Sequence, residues 1–128
     1  MSAIAIAERA RIAIDLGESH FREFKSALEG GPESKKKRPA KDIATNIAQT
    51  LVAFANADGG ELLVGVEDNG DVTGVPWFTP NELQLMENAP MARVHPDTPL
   101  PTVKRYRLQI KGNDILYFSV PRAPITPI

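Results

Sequence analysis

The sequence predicts an α+β domain, a mixed β-sheet with antiparallel hairpins and with helices packed on it, and three observations predict it. Residues 40–56 repeat apolar side chains at three and four residues (Ile43, Ala44, Ile47, Ala48, Leu51, Phe54, Ala55), the period of a helix with one buried face. A nearly continuous apolar run at 61–67 follows at once, which suits a strand covered on both faces. Two further segments of strand composition, 102–110 and 115–121, are joined by Lys111-Gly112-Asn113-Asp114. A strand that reaches the next strand through a long helix gives a parallel pair, whereas short links give antiparallel neighbours, so the sheet is mixed.

The elements follow in order. Residues 1–16 predict an amphipathic helix with Ile4, Ala7, Ile12 and Ile14 as its loose apolar stripe. After Gly17, residues 20–25 form an aromatic-rich strand that ends before Glu29-Gly30-Gly31-Pro32. Residues 29–39 then read as a basic flexible loop. Pro39 stands where a first-turn proline is tolerated, and Asp58-Gly59-Gly60 stops the long helix. Gly65 inside its strand predicts a close approach to the backbone. Asp68-Asn69-Gly70-Asp71 predicts a type I′ hairpin turn, with 72–75 returning as the partner strand. Thr79-Pro80-Asn81-Glu82 is a capping box that opens a helix to about Asn88. The proline-rich residues 89–101, which include His95, read as irregular, with His95 at the surface.

Composition narrows the function. A chain of 128 residues with 42% hydrophobic and 24% charged residues suits one domain over 1–128, with 122–128 as the expected boundary to a further C-terminal region. There is no cysteine, so disulfides, thiolate metal sites and a cysteine nucleophile are excluded. Two histidines, His20 and His95, make a closed zinc site a poor expectation. No apolar run reaches transmembrane length, and charges interrupt the first residues, so the expected location is cytoplasmic, with no membrane partner. The P-loop, the dinucleotide fingerprint and the Ser nucleophile elbow are all missing.

Three blocks carry the specific signal. They are Glu18-Ser19-His20-Phe21-Arg22-Glu23-Phe24-Lys25, Ala53-Phe54-Ala55-Asn56-Ala57-Asp58-Gly59-Gly60, and Gly65-Val66-Glu67-Asp68-Asn69-Gly70. In type, order and spacing they resemble the E-S-x-x-x-E-F-K, A-F-A-N-x-x-G-G and G-V-x-D-x-G blocks of the Schlafen AlbA-type domain. That family is known as a DNA-binding domain of bacterial transcriptional regulators and is shared with Schlafen proteins. The resemblance implies a mixed sheet with packed helices and a nucleic-acid-binding role. It also implies that Glu18, Glu23 and Asp68 match the three carboxylates of Schlafen ribonucleases, where Mg²⁺ or Mn²⁺ would be the cofactor. Such ions take oxygen ligands and phosphate oxygens together. Glu67 is the alternative third carboxylate.

Each of these residues has a structural alternative. Glu23 and Lys25 share strand parity and could form a surface ion pair, and Asp68 lies beside a tight turn. Asn56, Gly59 and Gly60 could end the helix, or could let a phosphate backbone approach the helix-to-strand corner. Phe21, Phe24 and Phe54 are expected in the core.

The formal net charge of −1 means that any surface for DNA or RNA is local. The candidates are Lys25, the cluster Lys35, Lys36, Lys37, Arg38 and Lys41, and one face of the strand at 102–110. On that strand Arg105 and Arg107 point one way and Lys104 the other. Three readings follow: a nucleic-acid-binding module of a regulator-type protein, a metal-dependent endoribonuclease, or a protein-interaction module. In the last, a sheet edge would pair with another copy as a homo-oligomer.

Overall fold

In a computed structural model, which describes residues 3–92 and 103–122, helix α1 spans Ala3–Leu16 and precedes strand β1, Arg22–Lys25. Its buried face is Ile6, Ala10, Ala13 and Ile14, spaced four, three and one, so they line one side of the helix. This corrects half of the predicted stripe, because Ile4 is 82% and Ile12 52% exposed, while Ile14 is buried and Ala7 packs against the core as predicted. Isoleucines stand on both faces of this helix, and Ala10 and Ala13, which signal burial weakly in a sequence, complete the buried one with Ile6 and Ile14.

Two short strands follow, β2 at Leu28–Glu29 and β3 at Lys36–Lys37, paired antiparallel with Leu28 opposite Lys37. The basic segment is therefore a hairpin whose ends pair. Helix α2, Ala40–Ala55, starts directly after Pro39 and buries the predicted apolar face, including Ile43, Ile47 and Leu51 at no exposure. Asn56 is its C-cap, and the positive φ arrives at Gly59 (86°), where strand β4, Gly59–Val64, begins.

Beyond β4 the chain departs from the predicted hairpin. Gly65 has φ 102° and ends the strand, leaving only a single bridge between Val66 and Val72. The turn is not type I′, since Asn69 has no positive φ and only Gly70 does (93°). Glu67 accepts from Gly70 N–H at 2.8 Å and donates its own N–H to Asp71 at 2.8 Å. That is the three-residue arrangement in which a turn is followed by a left-handed glycine. What packs against Gly65 is Gly74, whose backbone atoms would lie 3.0–3.1 Å from a Cβ at position 65.

Helix α3, Pro80–Glu87, carries the predicted capping box at Thr79 and Glu82, and a short α4, Ala89–Ala92, follows where an irregular chain was expected. Residues 93–102, with His95, and 123–128 lie outside the described part. Strands β5, Lys104–Ile110, and β6, Asn113–Pro121, form the last hairpin. Its loop is only Lys111-Gly112, both at positive φ (51° and 80°), so the type I′ turn sits here.

The main sheet has the order β1-β4-β6-β5, with β1 and β4 parallel and the other pairs antiparallel. Strand alternation splits the core into two. Leu62, Val64, Leu116, Phe118 and Val120 pack against α2 and α3, while Phe24, Leu63, Leu108, Ile110, Ile115 and Tyr117 pack under α1. The α+β class with a mixed sheet is as predicted. Among the described residues no helix is long and apolar enough to cross a membrane.

Candidate nucleic-acid interface

The sequence nominated eight cations, and the fold divides them. Lys25 lies 3.3 Å from Glu23 across the same face of β1. Lys37 reaches Glu82 at 2.6 Å and the Trp77 carbonyl at 3.1 Å, with its ammonium 5.5 Å above the Phe78 ring. Arg38 donates to the Ser26 carbonyl (2.9 Å) and to Asn46 Oδ1 (2.7 Å), tying the hairpin to α2. Arg105 donates to the Glu87 carbonyl (2.9 Å) and to Asn88, and Arg107 pairs with the Glu87 carboxylate, so both hold the end of α3 to β5. These last groups line a polar depression of about 470 Å³ with Pro80 and Gln84. Lys35, Lys36 and Lys41 remain exposed, without a side-chain partner among the described residues.

The Lys37–Glu82 pair has a measurable signature. The Lys37 ammonium, and then the Thr79 N–H, hold the Glu82 carboxyl below its ordinary 4.5. Because the folded value is depressed, the stability it contributes is present above the ordinary value and is lost as pH falls through the folded one. In Lys37→Ala the Glu82 midpoint should rise toward 4.5, read by NMR titration of the side-chain carboxyl. An unchanged midpoint would mean that the pair does not form in solution.

The carboxylates of the first and third blocks have other occupations. Glu18 accepts from Phe24 N–H at 3.1 Å, which caps a donor on the open edge of β1. Glu23 takes Lys25, Glu67 accepts from the Thr73 hydroxyl at 2.7 Å, and Asp68 is exposed at the turn. Among the described residues no group of three or more His, Cys, Asp or Glu is placed to hold a metal ion. As placed, Glu18, Glu23 and Asp68 do not fit Mg²⁺ or Mn²⁺ as a three-carboxylate site. In the turn, Asn69 Oδ1 accepts from Asp71 N–H at 2.9 Å and so braces Gly70 locally.

The middle block is structural in detail. A Cβ on Gly60 would lie 2.6 Å from the Phe54 ring and 2.9 Å from the Phe21 carbonyl. Phe24 and Phe54 are buried as expected, whereas Phe21 is 52% exposed, with the Arg22 guanidinium 5.3 Å over its ring. Phe21 and Gly60 line a shallow depression of about 240 Å³ with Arg9, Glu61 and Ser119.

A family model described as Schlafen, AlbA_2 matches residues 18–128. The chain belongs to this family. Two solved structures share the AlbA_2 fold with it. One is the N-terminal domain of a protein named as related to the ATP-dependent DNA helicase RecG, from Nitrosomonas europaea. It matches at TM-score 0.59 and 26% identity, over 91% of this chain and 74% of that one. The other is the DIP2311 protein from Corynebacterium diphtheriae, at TM-score 0.57 and 23% identity, over 93% of this chain but only 22% of that one. This AlbA_2 chain thus spans about a fifth of the DIP2311 protein. No curated protein matches.

Sequence reasoning missed two features of this AlbA_2 domain. Glu61 is buried beside the Arg22 guanidinium at 3.3 Å, with Arg9 at 3.8 Å and the Tyr117 hydroxyl nearby. Burial, and then the Glu61 charge, push the Tyr117 phenol above its ordinary 10. A glutamate at the head of an apolar strand reads as exposed, and its partners lie 39 and 52 positions away. The second feature is Trp77, which stands 63% exposed with φ 67°. Its aromatic identity was legible; its backbone conformation was not.

Proposed function

We propose that this AlbA_2 domain is a nucleic-acid-binding module of a regulator-type protein, and that its phosphate contacts come from Lys35, Lys36 and Lys41. The observation that carries this reading is the sorting of the cations. Lys25, Lys37, Arg38, Arg105 and Arg107 are engaged with the domain itself. The three remaining lysines stand exposed on the β2–β3 hairpin and the first turn of α2. A phosphate there would gain charge without breaking a structural pair. Family membership and the likeness to a helicase-related N-terminal domain support the same ligand class.

Lysines that meet phosphates release condensed counterions, so their loss shows in the salt dependence and not only in affinity. Replacing Lys35, Lys36 and Lys41 together by alanine should weaken binding and flatten the slope of log K against log salt by about 2–3. Arg105→Ala with Arg107→Ala should leave that slope alone and lower thermal stability instead. If the triple variant keeps the wild-type slope, the assignment fails.

A further inference from the structure

We infer that Trp77 is a base-stacking residue, which makes this surface prefer single-stranded over duplex nucleic acid; the inference rests on the nucleic-acid-binding reading above. Trp77 is the chain's one tryptophan. Its neighbours turn inward, Val75 being buried and Phe78 packing on the α2 core, so the loop has access to the interior. The indole is nevertheless 63% exposed.

The backbone is what turns it out. Its φ of 67° lies in the left-handed region, which bulky side chains rarely adopt. Gly74, three residues earlier, takes a similar φ (76°) with no side chain to be strained. At Trp77 the strained conformation points a large aromatic ring into solvent, and the surrounding structure holds it there. Lys37 Nζ bonds its carbonyl at 3.1 Å and Glu82 at 2.6 Å, and Glu82 is itself fixed by the capping box with Thr79. The ring is thus presented on a loop whose backbone is braced, which lowers the cost of ordering that loop on binding.

Lys37 also ties the loop that carries the ring to the hairpin that bears Lys35 and Lys36. A cationic track next to an aromatic face is how single strands are held without sequence readout, since every base has a π-face. In a duplex the bases stack on one another and offer only their edges, so the ring can be used only by an unpaired or splayed base. Phe21, another exposed aromatic, has Arg22 over its ring and lies away from the basic hairpin, at the start of β4.

As the single tryptophan, Trp77 reports on its own contact. The full chain is titrated with an oligothymidylate of about 20 nucleotides and with a blunt duplex of the same length. Its fluorescence should be quenched by the single strand and not by the duplex, and the single strand should bind more tightly. Trp77→Ala should lower affinity for oligothymidylate about 5- to 150-fold while leaving the salt slope and the duplex affinity unchanged. Trp77→Phe should recover most of the loss. Trp77→Gly should lose binding like alanine yet melt at a higher temperature than Trp77→Ala, which separates lost stacking from damage to the fold. If oligothymidylate binds but Trp77→Ala stays within about twofold of wild type, or the duplex quenches equally, Trp77 does not stack. If neither nucleic acid binds at all, the nucleic-acid reading itself fails and this one falls with it.

Discussion

A chain lacking residues 1–16 is expected to lose its cooperative thermal transition, or to melt at least about 10 °C below the full chain. The family match begins at Glu18 and leaves α1 outside it, yet α1 packs over one of the two cores of the sheet. Ile6, Ala10, Ala13 and Ile14 are at most 5% exposed, and beneath them lie Phe24, Leu63, Leu108, Ile110, Ile115 and Tyr117. Fully exposing a large apolar side chain costs about 1.5–3 kcal/mol, so even partial uncovering of six of them adds up to several kcal/mol. A domain's net stability is only about 5–15 kcal/mol, so such a loss is decisive. Removing α1 also takes Arg9 away from the buried Glu61 and leaves Arg22 as that carboxylate's remaining ion-pair partner. Circular dichroism melts with a hydrophobic dye as second probe would measure this. A transition within about 3 °C of the full chain, with no dye binding, would mean that α1 is not docked in solution.

What the sequence disclosed depended on the range of the interaction. Helix α2 was legible because its period is written in consecutive residues, and the capping box of α3 because four adjacent residues define it. The three motif blocks named the family, which residues 18–128 match. The α1 stripe was only half legible because isoleucines stand on both faces, and the buried face takes Ile6, Ala10 and Ala13 along with Ile14. The turn after Val66 was misread because Asn-Gly marks a turn without fixing its type, and the close approach of Gly74 to Gly65 decides the path. The sorting of the cations was not legible at all. Lys37 finds Glu82 45 positions on, and Arg107 finds Glu87 across the connection between α3 and β5. A basic run gives the composition of a surface, and only the folded neighbours show which of its charges are free.

The packing of Gly74 against the start of β6 should make Gly74→Ala a costly single methyl addition, at about 2–4 kcal/mol. The first contribution is conformational. Gly74 has φ 76°, where an L side chain costs about 1–2 kcal/mol. The second is steric, since the new Cβ would lie 2.8 Å from Asn113 Cβ and 3.0 Å from the Asp114 carbonyl. That carbonyl accepts from Val75 N–H at 2.9 Å, and the Asn113 amide donates to the Val72 carbonyl at 3.0 Å. Neither neighbour can retreat without loosening the link between the β6 end and the 67–75 segment. Gly65→Ala meets a slightly milder steric contact, with Gly74 backbone atoms at 3.0 Å, but at φ 102° its conformational penalty is no smaller. Because Gly65→Ala presses on the Gly74 backbone while Gly74→Ala presses on Asn113 and Asp114, both disturb the seat of Gly74, and the double variant should depart from the sum of the singles by about 0.5 kcal/mol or more. Denaturant unfolding of the four proteins measures this directly. Additive losses would mean that the backbones do not touch, and the path that carries Gly70 and Asp68 back toward β6 would then be fixed by something else.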